Sequence, residues 1–138
     1  MRASLLYRIA SGLLVLFAIG HTIGFRRTDP GWGADSVVGS MRATRFNVDG
    51  LSRTYWDFFT GFGLFVTVFL LFAAILAWEL GGQARVQLMP LLVVSWAFAI
   101  CFVGIAVLSW MYFFIIPGVF SSVIGLCLVL AAWLAGRP

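Results

Sequence analysis

Four stretches of nearly unbroken apolar residues dominate the chain, at residues 5–25, 56–80, 86–110 and about 115–134. Each is close to the roughly 20 residues that an α-helix needs to cross a bilayer. The pattern therefore predicts four membrane-spanning helices. Gly81-Gly82 is expected to end the second span, and Pro90 falls in the first turns of the third, where its missing N–H does little harm. MYFFII, residues 111–116, reads as an aromatic connector at the interface, with the fourth helix starting close to Pro117, or with Pro117 as a kink if it starts near Phe113.

The one long polar segment runs from Arg26 to Thr54, 29 residues. A loop of that length is expected to carry internal order. Asp29-Pro30-Gly31 reads as a turn, and Asp35 or Ser36 is placed to cap a short amphipathic helix through about Phe46. That helix would lie at the bilayer surface or over the bundle mouth. The expected class is therefore an all-α integral membrane protein, a single antiparallel four-helix bundle with a long first loop. Small residues four apart, Gly20 and Gly24, Ala73 and Ala77, Ser95 and Ala99, Ser121 and Gly125, mark the faces where helices are expected to approach closely.

Composition agrees with lipid as the solvent. The chain is 62% hydrophobic and 10% charged, against roughly 25% charged in ordinary soluble domains. All nine basic residues are Arg, and the formal charge of +4 is too sparse to build the dense basic face that nucleic acid requires. Nucleic acid is excluded as a partner, and the bilayer is the expected environment, with other membrane subunits as candidate companions. The basic start followed by an apolar run is similar to a signal peptide, but no clean small-x-small cleavage site follows, so an uncleaved first helix is expected. The loops on the two sides carry four and five arginines, so the positive-inside count is even. The basic start of the first span favours cytoplasmic termini in a bacterial plasma membrane. Cys101 and Cys127 stand apart with no metal-ligand spacing and read as inert core thiols.

Ionisable residues at membrane depth are the candidate chemistry. His21 and Asp57 fall on the same membrane side and are expected to pair. Arg8 is level with Glu79, with Arg85 as an alternative partner, giving expected structural ion pairs at the other rim. Asp57 and Glu79 lie about 40° apart around one helix, on a stripe with Gly61, Leu64, Val68 and Ile75 that is expected to face protein. Proton transport along that stripe is disfavoured, since about 33 Å separates the carboxylates with nothing polar between. Trp32, Tyr55, Trp56, Trp110 and Tyr112 form one aromatic belt, Trp78 and Trp133 the other. A quinone or lipid tail would slot between Trp56, Phe58, Phe59 and the MYFFII segment. No nucleophile elbow, zinc pair, P-loop or dinucleotide fingerprint occurs, so an enzyme is not the leading expectation and no catalytic residue is assigned.

The stretch Arg53-Thr54-Tyr55-Trp56-Asp57-Phe58-Phe59-Thr60-Gly61-Phe62-Gly63-Leu64, preceded by Met41 to Phe46 and by Gly20-His21-Thr22, resembles a group of small uncharacterised bacterial membrane proteins with four spans. The layout is also similar, without a matching motif, to the DoxX-like membrane proteins associated with quinone redox partners. The resemblance implies fold and membrane residence and assigns no chemistry. The expected site is therefore His21, Tyr55, Trp56, Asp57 and Phe58, serving a non-enzymatic accessory or assembly subunit, or a binder of a hydrophobic small molecule, with no required cofactor. The alternative is a redox or pigment-associated subunit holding quinone, haem or chlorophyll near His21, which would then act as an axial metal ligand.

Overall fold

The computed structural model describes residues 2–83 and 85–137, apart from the side chains of Arg2, Arg85 and Val86. Its architecture is an all-α four-helix bundle. The order is α1 (Arg2–Gly24), α2 (Asp35–Ala43), a hairpin of β1 (Arg45–Val48) and β2 (Leu51–Thr54), α3 (Tyr55–Gly82), α4 (Arg85–Leu88), α5 (Leu92–Tyr112) and α6 (Ile115–Ala135). Four helical stretches, Ala3–Gly24, Tyr55–Gly82, Met89–Tyr112 and Ile115–Ala135, are long and apolar enough to cross a membrane. The chain is a small polytopic membrane protein. Large apolar side chains point outward, among them Val93 at 81%, Tyr112 at 71% and Ile115 at 70% exposure. A surface so apolar would be an aggregation liability in water and is the expected outside of a protein dissolved in lipid.

The chain forms two compact units, Met1–Phe17 with Leu70–Pro138, and Ala18–Phe69. The first unit holds most of the buried side chains. Tyr7 and Leu14 of α1, Leu70 and Leu80 of α3, Phe98 and Phe102 of α5, and Ile124 and Leu128 of α6 are buried there. Three of the four small-residue pairs are also buried, Ala73 with Ala77, Ser95 with Ala99, and Ser121 with Gly125. A Cβ at Gly125 would meet the Phe102 backbone at 3.5 Å. Close approach lets side chains reach neighbouring backbone: Ser11 Oγ donates to the Ala74 carbonyl at 2.8 Å, and Ser4 Oγ donates to the Gly81 carbonyl. Packing and such hydrogen bonds are what associates helices in hydrocarbon, where no hydrophobic drive acts between them.

Two boundary expectations are corrected in this unit. Pro90 lies in a 3-10 turn, Met89–Leu91, between α4 and α5, because it supplies no N–H to a continuous α-helix. The MYFFII segment is no separate connector: α5 takes in Met111 and Tyr112 and α6 begins at Ile115, leaving Phe113 and Phe114 as the link. Pro117 is thus the third residue of α6, where the N–H of any residue would have no helical acceptor, and needs no kink. Trp110 at the end of α5 donates Nε1–H to Ser122 Oγ of α6 at 3.0 Å.

The second unit is built on the end of α1 and the start of α3. Asp29 Oδ1 accepts from the Gly31 N–H at 2.8 Å and caps a 3-10 turn at Pro30–Trp32. The helix expected through about Phe46 stops at Ala43, and an antiparallel hairpin follows with Arg45 opposite Thr54, Phe46 opposite Arg53, Asn47 opposite Ser52 and Val48 opposite Leu51. Its two-residue turn has φ of +51° at Asp49 and +79° at Gly50. Left-handed backbone at both central positions is the type I′ turn that Asp-Gly favours, and its twist suits an antiparallel pair. The Asp-Gly turn signal outweighs the helical reading of the residues before it.

Candidate functional site at the hairpin end of α3

All five residues expected to form the site, His21, Tyr55, Trp56, Asp57 and Phe58, belong to the second unit. The structure sorts them into three environments. His21 and Asp57 do not pair. The Asp57 carboxylate accepts from the Thr54 N–H at 2.7 Å, and the Asp57 N–H donates to Thr54 Oγ1 at 3.1 Å. This reciprocal arrangement is a capping box, in which a Thr and an acid three residues on satisfy two amides at a helix start. Asp57 is thus accounted for by the hairpin-to-helix junction.

His21 instead donates Nε2–H to the Gly63 carbonyl at 3.0 Å. A carbonyl offers no proton, so this bond fixes the hydrogen on Nε2. Beside it, Thr22 Oγ1 donates to the Ala18 carbonyl at 2.7 Å and meets Thr67 Oγ1 at 2.9 Å. Thr67 Oγ1 also lies 3.2 Å from the Gly63 carbonyl. Each hydroxyl carries one proton. The two shorter contacts are satisfied together when Thr67 donates to Thr22 and Thr22 to Ala18, which leaves His21 as the side-chain donor to the Gly63 carbonyl.

The aromatic residues divide by helix face. His21 stacks on Phe25 with centroids 5.1 Å apart, Phe25 meets Phe59 at 6.1 Å, and Phe59 stacks on Trp56 at 5.4 Å. The Arg42 guanidinium closes the row 4.5 Å from the Trp56 ring centre, in cation–π range. On another face, Phe46 of the hairpin contacts Tyr55 at 5.1 Å and Phe58 at 5.2 Å. These contacts tie β1 to α3, since a two-stranded hairpin alone is marginal.

Beside this second group an open trough of about 250 Å³ is lined by Arg53, Asp57, Phe58, Gly61, Phe62 and Phe65. Gly61 makes the notch, for a Cβ there would meet nothing within 4 Å. Phe62 and Phe65 are each 63% exposed. Phe62 and Phe65 were not expected in the site, and Arg53 and Gly61 stood out only as part of the pattern that the resemblance points to. The signals for the junction that positions them are Asp49-Gly50 and the Thr54-x-x-Asp57 spacing ahead of an apolar run.

The expected ion pair at the other rim is corrected as well. Arg8 places its guanidinium 4.5 Å from the Trp78 ring centre instead of pairing with Glu79, which is exposed. A planar, weakly hydrated cation stacks well on indole, while an exposed carboxylate gains little from a salt bridge. The Arg85 side chain lies outside the described residues. The stripe expected to face protein is also turned outward, with Leu64, Val68 and Ile75 exposed at 38%, 63% and 62%. The buried face of α3 is the one bearing Ala73, Ala74, Ala77 and Gly81, because small side chains permit closer helix approach.

No protein-family model matches the chain, and neither a curated protein nor a solved structure matches it.

Proposed function

We propose that the chain is a non-enzymatic membrane protein that binds a hydrophobic small molecule at the hairpin end of α3, with both termini on the cytoplasmic side of a bacterial plasma membrane. The observation that carries this reading is the trough, an apolar recess beside charged side chains. Asp57 and Phe58 of the expected site line it, Tyr55 and Phe58 hold the hairpin next to it, His21 braces α3 from α1, and Trp56 packs on Phe59 and Arg42. Ligand sites of this kind combine apolar walls with a few placed polar groups. A quinone suits such walls better than a macrocycle suits His21, whose ring is stacked against Phe25.

Purification in mild detergent, followed by solvent extraction, mass spectrometry and a visible spectrum, tests the reading. A stoichiometric lipid-like compound that is lost in Gly61→Leu is the expected result. Material with no retained compound refutes it. A stoichiometric protein partner in its place favours the accessory-subunit role, and haem or chlorin bands abolished by His21→Ala favour the redox role.

A further inference from the structure

The trough has a charged end and an apolar end, and their order along the helix matches a lipid. The candidate span begins at Tyr55, so Arg53 stands two residues outside it, at the level of the headgroups. From Asp57 to Phe65 the lining follows α3 inward for about 12 Å, at 1.5 Å per residue. Phe58, Phe62 and Phe65 supply apolar surface there, and Gly61 leaves room between them. The charged end holds one cation and one anion, Arg53 and Asp57. The Asp57 carboxylate is held in the capping box and lies in the field of both Arg53 and Arg45. Arg53 donates one Nη1–H to the Ser52 carbonyl at 2.8 Å, leaving most of its five donors for other acceptors. A guanidinium fork fits phosphate oxygens in bidentate fashion.

We infer that the trough selects an anionic phospholipid of the surrounding bilayer, with the phosphate on Arg53 and one acyl chain along Phe58, Gly61, Phe62 and Phe65. The inference rests on the ligand-binding reading above and names the class of molecule. Any recess in a membrane protein is filled by some lipid, so the content of the claim is selectivity for an anionic head, set by one arginine.

The test is native mass spectrometry of the full chain released from nanodiscs of mixed phosphatidylglycerol and phosphatidylcholine. Wild type is expected to retain phosphatidylglycerol preferentially. Arg53→Gln should lower that preference about tenfold, the scale of a lost charge-assisted hydrogen bond, and Arg53→Lys should restore part of it. Arg27→Gln removes the same charge from an exposed loop position and should leave the preference unchanged. Equal preference in wild type and Arg53→Gln, or equal loss in Arg27→Gln, overturns the inference, the latter by showing diffuse surface charge. Gly61→Leu separates the two levels. If it displaces a neutral compound that Arg53→Gln leaves bound, the headgroup assignment fails and the ligand site stands. If a helical, monodisperse Gly61→Leu protein retains the same molecules as wild type, both fail. Where Gly61→Leu does not fold, Gly61→Ala with Phe62→Ala reports on the same wall. Retention of a second copy of the chain in place of lipid also overturns the inference.

Discussion

Gly63 offers the sharpest test of how α1 and α3 meet in the second unit. A Cβ at this position would lie 2.5, 2.6 and 2.8 Å from Cε2, Cδ2 and Cζ of Phe25, whereas carbon atoms rest at about 3.5–4.0 Å. The ring would have to retreat by about 1 Å. It has little freedom to do so, since it stacks on His21 at 5.1 Å and abuts Phe59 at 6.1 Å. Gly63→Ala thus overpacks the contact, at about 1–3 kcal/mol, set against a gain of about 1 kcal/mol from replacing glycine within a helix. The net expectation is a loss of up to about 2 kcal/mol. Removing the ring with Phe25→Ala takes away the obstacle and leaves only the helix-propensity gain. The same Gly63→Ala substitution should then stabilise by up to about 1 kcal/mol. Thermal or denaturant unfolding of the four proteins in one detergent reads the reversal of sign. If Gly63→Ala shifts stability by the same amount whether or not Phe25 is present, the close approach does not exist and the argument is wrong.

Other contacts yield smaller expectations. Thr54→Ala removes the hydroxyl of the capping box and should cost about 0.5–2 kcal/mol, with Thr54→Ser close to wild type, measured by the same unfolding assay. Gly50→Ala forces a side chain into backbone at φ +79°, costing about 1–2 kcal/mol. Trypsin should cleave that variant faster at Arg45 and Arg53, and unchanged cleavage would count against the type I′ turn. A double-mutant cycle of Thr22→Val and Thr67→Val should show coupling of about 0.6 kcal/mol, the scale of side-chain hydrogen bonds between membrane helices. Tyr7→Phe removes a buried hydroxyl that faces Ser95 without forming a well-aligned hydrogen bond, so it should change stability by less than about 1 kcal/mol. A loss of more than about 1 kcal/mol would reveal an acceptor for that hydroxyl.

The spans were legible because bilayer thickness is a constraint on length and composition alone, and the sequence meets it four times. Which face of each helix turns inward was only partly legible, and α3 shows why. Reading Asp57 and Glu79 as groups in need of partners placed Leu64, Val68 and Ile75 inside. In lipid, large apolar side chains gain nothing by being buried against another helix, whereas Ala73 and Ala77 let a neighbour's backbone come close. The small-residue spacing carried the information about packing, and the carboxylates did not. Gly20 and Gly24 mark the limit of that spacing as a signal, because they are exposed and a Cβ at either would meet nothing within 4 Å. The hairpin was hidden for a different reason. Its strands are four residues each, too short for alternation to stand out, and its evidence is concentrated in Asp49-Gly50.

The same hairpin decided the fate of the His21–Asp57 pair. Once β2 runs directly into α3, Thr54 becomes the residue before the first helical turn, and its N–H and hydroxyl are the nearest partners for an acid three positions later. Asp57 is taken up locally before any side chain of α1 can compete. His21 instead finds an acceptor in the Gly63 carbonyl, where the absence of a Cβ lets the Phe25 ring stacked on it lie against the backbone. Two donors of α1, one in each unit, are met in the same way. Ser11 donates to a carbonyl at Ala74 and His21 to one at Gly63, each next to a position where α3 carries little or no side chain. In hydrocarbon these two donors cannot turn to water, and each is met where the neighbouring backbone is bare. A residue pairing inferred from opposite charge alone overlooks that the backbone is the closer acceptor.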